Sequence, residues 1–262
     1  MKITEKVLES IKTDTIFSYG FDFRNKNFAT SHRYKGFSNN MMMFIARHSN
    51  GFKTPNWIGM NQARTLGISI IKGSIGTPVL IPIIKENIDG EDIMVGSRQS
   101  TVFNLDQTDY DIESVNSNFG TGDFSKIQEI IDNYICTEGI CVNVSDHNSY
   151  NPEHDVVNIV HKSNFTRESA YYEAFVHELM HSTMKDTRLG RKFDYKDEQS
   201  RIEEEVVAEL ATAWLFSEYN IPIDNCSQYI KGYIGDNVKL LMDCVQKSEL
   251  AVNYIRRTNG TI

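Results

Sequence analysis

One eleven-residue stretch, Tyr171-Tyr172-Glu173-Ala174-Phe175-Val176-His177-Glu178-Leu179-Met180-His181, constrains this chain more than any other. It contains neither Pro nor Gly, and Phe175, Val176 and Leu179 supply an apolar stripe at helical spacing. On a helix His177 and His181 stand one turn apart on the same face, so both imidazoles can reach one tetrahedral cation. Glu178 then lies beside the open coordination position, where its carboxylate can take a proton from water. The bland alternative is a surface helix with two incidental histidines. A chain with only seven histidines seldom produces the match by chance.

Such a site needs a third ligand. Met184 and Thr187 occupy the positions where one large subclass places a Gly and a third His, which excludes that solution. The other common solution takes a carboxylate from a second helix. Ile202-Glu203-Glu204-Glu205-Val206-Val207-Ala208-Glu209 opens such a helix, with Ile202, Val206, Leu210 and Ala213 as its apolar stripe. Glu205, 24 positions after His181, is the expected ligand. Glu209, one turn further along the same face, is expected to accept the free N–H of a ligating histidine. Glu204 is assigned to solvent. The alternative takes the whole cluster from Glu203 to Glu205 as a solvated helix N-terminus, where acidic side chains are welcome. The implied cofactor is Zn2+ or another divalent cation.

At 262 residues, with 40% hydrophobic and 24% charged side chains, the chain is long for one compact domain and comfortable for two. Charge divides it. Residues 21–80 hold eight Lys or Arg against the single acid Asp22, a net +7, which leaves −15 for the rest of a chain that totals −8. Texture divides it as well. Residues 20–107 show short apolar runs broken by turn residues, with strands expected at 68–71, 79–84 (an edge strand or turn, given Pro82) and 101–105. The Ser-, Asn- and Gly-rich segment 114–125 reads as a linker. Beyond it, helices are expected at 124–134, 167–184, 199–219 and 236–256, with short strands at 142–144 and 156–160. A further helix is expected over roughly the first twelve residues. The expected fold class is therefore α+β: a mixed domain of helix and strands over residues 1–115, then a mostly helical domain over 124–262 that carries the metal motif.

The opening MKITEKVLESIK has no continuous apolar core and no run approaches a membrane span. A cytoplasmic location and no membrane partner are expected. The four cysteines, Cys136, Cys141, Cys226 and Cys244, then read as free thiols. Cys136 and Cys141 have half the makings of a metal site, but no second pair matches their spacing.

Residues 21–80 also interleave cations with rings, among them Phe28, Arg33, Tyr34, Lys35, Phe52, Lys53 and Trp57. Single-stranded nucleic acid is held by this mixture, with cations tracking phosphates and rings stacking on bases. Arg33, Lys35, Trp57, Arg64 and Lys72 are the candidate contacts. Most aromatic side chains in any domain are core, so over half of these rings are expected to be buried. The acidic remainder would repel a phosphate backbone and confine contact to the amino-terminal domain.

With these residues in view, the chain resembles the ArdC-type antirestriction proteins of plasmids and phages. Ser149-Tyr150-Asn151-Pro152, the segment from Tyr171 to Thr183, Thr187-Arg188-Leu189 and the segment from Glu204 to Leu210 follow the family's carboxy-terminal pattern. The segments Tyr34 to Asn39, Trp57 to Ala63, Lys72 to Gly76 and Val102 to Thr108 follow its amino-terminal one. The family's Pro-Trp opening is missing, and Met184-Lys185 stands where Gly-His is usual. The resemblance spans most of the chain. It implies a zincin-like metallopeptidase domain with Glu178 as general base, preceded by a single-stranded-DNA-binding domain related to plasmid primases. It further implies protection of incoming DNA in the host cytoplasm, with a host restriction-system or other protein as the candidate substrate. One alternative is a DNA- or protein-binding protein whose metal is purely structural. Glu178 favours catalysis, because a structural site needs ligands but no base. An acidic DNA mimic is a third reading, against which the scattered placement of charge argues.

Overall fold

A computed structural model describes residues 22–87, 90, 92–112, 123–221, 223, 230 and 237–258. They fall into two compact units, one within residues 24–118 and one within 119–262 that also takes Asp22 and Phe23. The helix expected over the first twelve residues, most of the expected linker and Cys226 lie outside the described residues.

In the first unit β1 (Lys26–Asn27), β2 (Asn56–Gly59), β3 (Thr77–Glu86) and β4 (Asp92–Asn104) form a sheet in the order β1-β2-β4-β3. β1 runs parallel to β2, and the other pairs are antiparallel. β3 is an edge strand, the place where a sheet tolerates Pro82, and its register slips between Ile83 and Ile84. Helix α1 (Phe37–Ser49) packs on this sheet through Met43 and Ala46, which meet Trp57, Val79 and Val102. Periodicity does not predict α1. Met41, Met42, Met43, Phe44, Ile45 and Ala46 are consecutive and all buried, and a run buried in every direction shows no apolar alternation. It ends in a Schellman motif: Gly51, at φ 67°, donates to His48 O, and Phe52 N–H donates to Arg47 O at 2.8 Å. Short α2 (Met60–Thr65) follows β2. The strand expected at 68–71 is absent. Ile70 makes one bridge to Thr108, and Ser69 exchanges hydrogen bonds with Asp109, so the segment's polar groups are satisfied without a ladder.

The second unit opens with α3 (Phe124–Glu138), capped by the Asp123 side chain and stopped at Gly139, φ 67°. Ile127, Ile130, Ile131 and Tyr134 bury its apolar face. β5 (Cys141–Ser145), β6 (Ser149–Asn151) and β7 (Val156–Val160) form a sheet in the order β5-β7-β6, with β6 antiparallel to β7 and at the edge. Helices α4 (Glu168–Ser182), α5 (Glu198–Glu218) and α6 (Val238–Arg257) complete the unit, with α5 packed against both α4 and α6. All three match expected spans to within two residues. Cys136, Cys141 and Cys244 are free thiols.

Gly76, just ahead of β3, has no room for a side chain: a Cβ there would lie 2.3 Å from Thr101 Cγ2 and 3.0 Å from the Phe103 ring. Gly76→Ala should therefore destabilise the protein by about 1–3 kcal/mol through overpacking. Denaturant midpoints measure the loss, and it should shrink in a Thr101→Ser background, which deletes the clashing methyl.

Candidate metal centre and its cleft

α4 turns Tyr172, Phe175, Val176, Leu179 and Met180 into the core. His177, Glu178 and His181 line a cleft of about 370 Å3, together with Glu205 of α5 and the β6 edge at Asn148, Ser149 and Tyr150. Met184, Phe193 and Tyr195 add an apolar lining. The two Nε2 atoms are 3.0 Å apart. Glu205 Oε2 stands 3.4 Å from His177 Nε2, and Oε1 stands 3.6 Å from His181 Nε2. Two nitrogens on one tetrahedral zinc would be separated by about 3.3 Å, given bonds near 2.0 Å. These three side chains could hold a divalent cation, and their donor atoms all lie within 4.8 Å of one another.

Behind each imidazole stands a second carboxylate. Glu209 Oε1 lies 3.7 Å from His177 Nδ1, and Glu204 Oε1 lies 3.2 Å from His181 Nδ1. A carboxylate at Nδ1 favours the proton there and leaves Nε2 with its lone pair towards the cation position. Glu204 was expected in solvent; it is buried instead. Arg191 grips it with two bonds, Nη2 to Oε1 at 2.5 Å and Nε to Oε2 at 3.0 Å, and also donates to Thr183 Oγ1 and Met180 O. Burial alone would raise the Glu204 pKa, but His181 and Arg191 outweigh it and hold the carboxylate below its usual range. Sequence reasoning missed this residue because neighbours on a helix point about 100° apart. Only the chain that returns with Arg191 makes the Glu204 direction an interior one.

Glu178 is buried, and burial raises its pKa against the pull of His181 and His177. The Tyr150 backbone, on the facing wall of the cleft, also favours its charged form. His177 has its pKa raised despite burial, which acts the other way, because Glu205, Glu209 and Glu178 surround it. The site attracts positive charge, whether proton or metal. One turn before His177, Glu173 is a different case. Its Oε1 is sealed from solvent with no hydrogen-bond partner, and burial pushes its pKa up to about 7, opposed by Arg167 and aided by Glu209.

In the first unit Arg33, Lys35, Arg64 and Lys72 are exposed. Trp57 is not. Expected at the nucleic-acid face, it is fully buried, and its Nε1–H donates to Asn25 Oδ1 at 2.8 Å. A β2 side chain facing α1 has no route to solvent. Among the described residues of this unit no aromatic side chain is exposed, so stacking on open rings has no support there. Arg64 instead borders a depression of about 320 Å3 with Met60, Ile68 and Ile70.

The metal-motif helix, the carboxylate helix and the small sheet define a zincin-like metallopeptidase domain, and residues 129–243 match the family of that description. Residues 1–111 match the N-terminal domain of anti-restriction factor ArdC. The chain therefore belongs to the ArdC type, an ArdC N-terminal domain joined to a zincin-like metallopeptidase domain. The metal-free crystal structure of antirestriction ArdC protein from the R388 plasmid superposes with a TM-score of 0.71 at 22% identity, covering 99% of this chain and 97% of that one. Its Mn(II)-bound structure gives 0.69 at 20% identity, covering 98% and 96%. DNA primase TraC of Escherichia coli is 24% identical over 92% of this chain, which spans only 25% of the primase. No helix among the described residues is long and apolar enough to cross a membrane.

Glu173 makes stability depend on pH. Its folded pKa of about 7 exceeds the unfolded value of 4.5, so its contribution is fully present below pH 4.5 and is lost as pH rises through 7. Glu173→Gln should match wild type near pH 4.5 and melt at a higher temperature than wild type at pH 8, both measured with a chelator present.

Proposed function

We propose that this chain is an antirestriction protein of a mobile element, with a single-stranded-DNA-binding first domain and a divalent-metal peptidase site in the second. The observation that carries the peptidase reading is the convergence of His177, His181 and Glu205, at 3.0–3.6 Å, beside buried Glu178 in an open cleft. His177, His181 and Glu205 are the ligands in this reading, with Glu209 and Glu204 orienting the histidines. A structural ion is enclosed by four protein ligands, whereas three donors bordering a cleft leave a position for water and substrate. That difference favours chemistry over a purely structural metal.

A cation held there, zinc in this reading, supplies Lewis acidity that polarises a peptide carbonyl and acidifies water. The chain's own residues do the rest. Glu178 takes the proton from the attacking water and returns it to the leaving amine, a role its place between the two histidines in the cleft allows. β6 is an edge strand lining the cleft, so its outer backbone groups can pair with an extended peptide. The DNA-binding half is supported by the match to the ArdC N-terminal domain and by exposed Arg33, Lys35, Arg64 and Lys72. Affinity through such cations falls steeply with salt.

Two measurements test this reading. The full chain should bind one divalent ion, and Glu205→Ala should abolish stoichiometric loading. Glu204→Ala and Glu209→Ala should weaken it roughly 10–100-fold. Full loading by Glu205→Ala would remove it from the ligand set. Separately, Glu178→Gln should keep metal, fold and single-stranded-DNA binding but lose peptide hydrolysis by about 100-fold or more. An incoming-DNA protection assay then compares Glu178→Gln with the surface variant Arg64→Glu. Unimpaired protection by both would sink the two-domain reading.

A further inference from the structure

A densely bonded side chain of the second unit lies outside the metal site. The Arg188 side chain is 1% exposed and ties α3, β6 and α4 to the turn that precedes β7. Its Nη1 and Nη2 donate to the two Asp155 oxygens at 2.8 and 2.7 Å, and its Nε donates to Glu138 Oε2 at 2.8 Å. Nη1 also donates to the backbone carbonyl of Ser182, the last residue of α4, at 2.9 Å. That oxygen, at a helix end where carbonyls lack intrahelical partners, otherwise accepts only a long bond from Lys185 N–H, at 3.3 Å. Lys185 adds a bond to Asp155 at 2.7 Å, so two cations meet two carboxylates and the half-buried cluster is neutral.

The cluster reaches the cleft through one residue. The Tyr150 hydroxyl donates to Asp155 Oδ1 at 2.9 Å and lies 3.4 Å from Arg188 Nη1. The same residue lines the cleft beside Glu178. Tyr150 is thus held at its hydroxyl by Arg188 and Asp155 while its strand borders the cleft that contains the candidate base. β6 has only three residues paired to β7, a weak hold for a strand that borders a substrate cleft. Asp155 itself sits at φ 55° in the turn between these strands, a conformation that Asp tolerates better than most residues.

We propose that Arg188, acting through Asp155 and the Tyr150 hydroxyl, is a positioning residue that locks the β6 edge to the metal-bearing helix. It thereby fixes where an extended peptide backbone lies relative to Glu178. A lysine cannot replace it, because one ammonium cannot form the planar two-bond grip on Asp155 while reaching Glu138 and Ser182. This inference rests on the peptidase reading of the same cleft.

The test uses the full, zinc-loaded chain and two probes, followed by calorimetry. Acetohydroxamate reaches only the metal, whereas a dipeptidyl hydroxamate also lies along the strand. Tyr150→Phe, which keeps the backbone N–H, and Arg188→Lys should weaken the dipeptidyl probe roughly tenfold or more, the scale of a small misplacement. Acetohydroxamate should bind within about twofold of wild type, because the ligands are untouched. If Arg188→Lys does not fold, Tyr150→Phe alone decides. Equal weakening of both probes, or of neither, overturns the positioning role and leaves Arg188 a stability residue. A wild-type protein that binds acetohydroxamate but neither binds nor cleaves dipeptidyl probes overturns the peptidase reading, and the positioning role with it.

Discussion

Two carboxylates on α5 stand behind two histidines on α4, Glu204 at His181 Nδ1 and Glu209 near His177 Nδ1. A histidine offers a lone pair from one nitrogen only when its proton is held on the other. With both protons drawn to the α5 side, both Nε2 atoms turn to Glu205, and three donors share one point. The arrangement is costly to bury. Glu204 is tolerable in the interior because Arg191 meets it with two charge-assisted bonds as His181 meets it from the other side.

The rest of the second unit can be understood as support for that alignment. From Val206 to Phe216, α5 is almost wholly buried, so it cannot roll about its axis without exposing core. α6 fixes it further, with Lys247 paired to Glu203 and the Ser248 hydroxyl on Val207 O. α4 is pinned at its end by Arg188 and Arg191, which bond the Ser182 and Met180 carbonyls. A site built on rigid helices holds its geometry better than one on loops. The cleft lining is less regular, since Phe193 and Tyr195 come from the segment between α4 and α5.

The first unit spends its signature residues differently from what composition suggests. Arg24 and Arg47 are buried, so part of the +7 belongs to the interior and only the remaining cations can meet a phosphate backbone. Trp57 closes the space between sheet and α1, and Asn25 satisfies its indole. Removing a fully buried Trp costs roughly 3–5 kcal/mol, so its loss would mimic a binding defect by unfolding the domain. Buried amides do similar structural work: Asn104 caps the turn at 105–107 and bonds Thr54 O.

The sequence by itself determined whatever local periodicity encodes. Helical spacing marked α3 to α6, the run around Pro82 marked an edge strand or a turn, and His177 and His181 were bound to share one helix face with Glu178 beside it. Glu205 was legible as a candidate because it faces the same way as the α5 stripe's neighbour Glu209. What only the tertiary structure decided was direction relative to a partner. Whether Glu204 meets water or His181 depends on α4 and Arg191 lying across it, and nothing within the helix records that. Whether Trp57 meets a base or Met43 depends on α1, a helix hidden from periodicity because its middle six residues, Met41 to Ala46, are apolar in every direction. The Arg188 cluster joins residues 138, 150, 155, 182 and 188, which no short-range pattern connects. Local sequence fixes which way a side chain leaves its own backbone; packing alone fixes what it finds there.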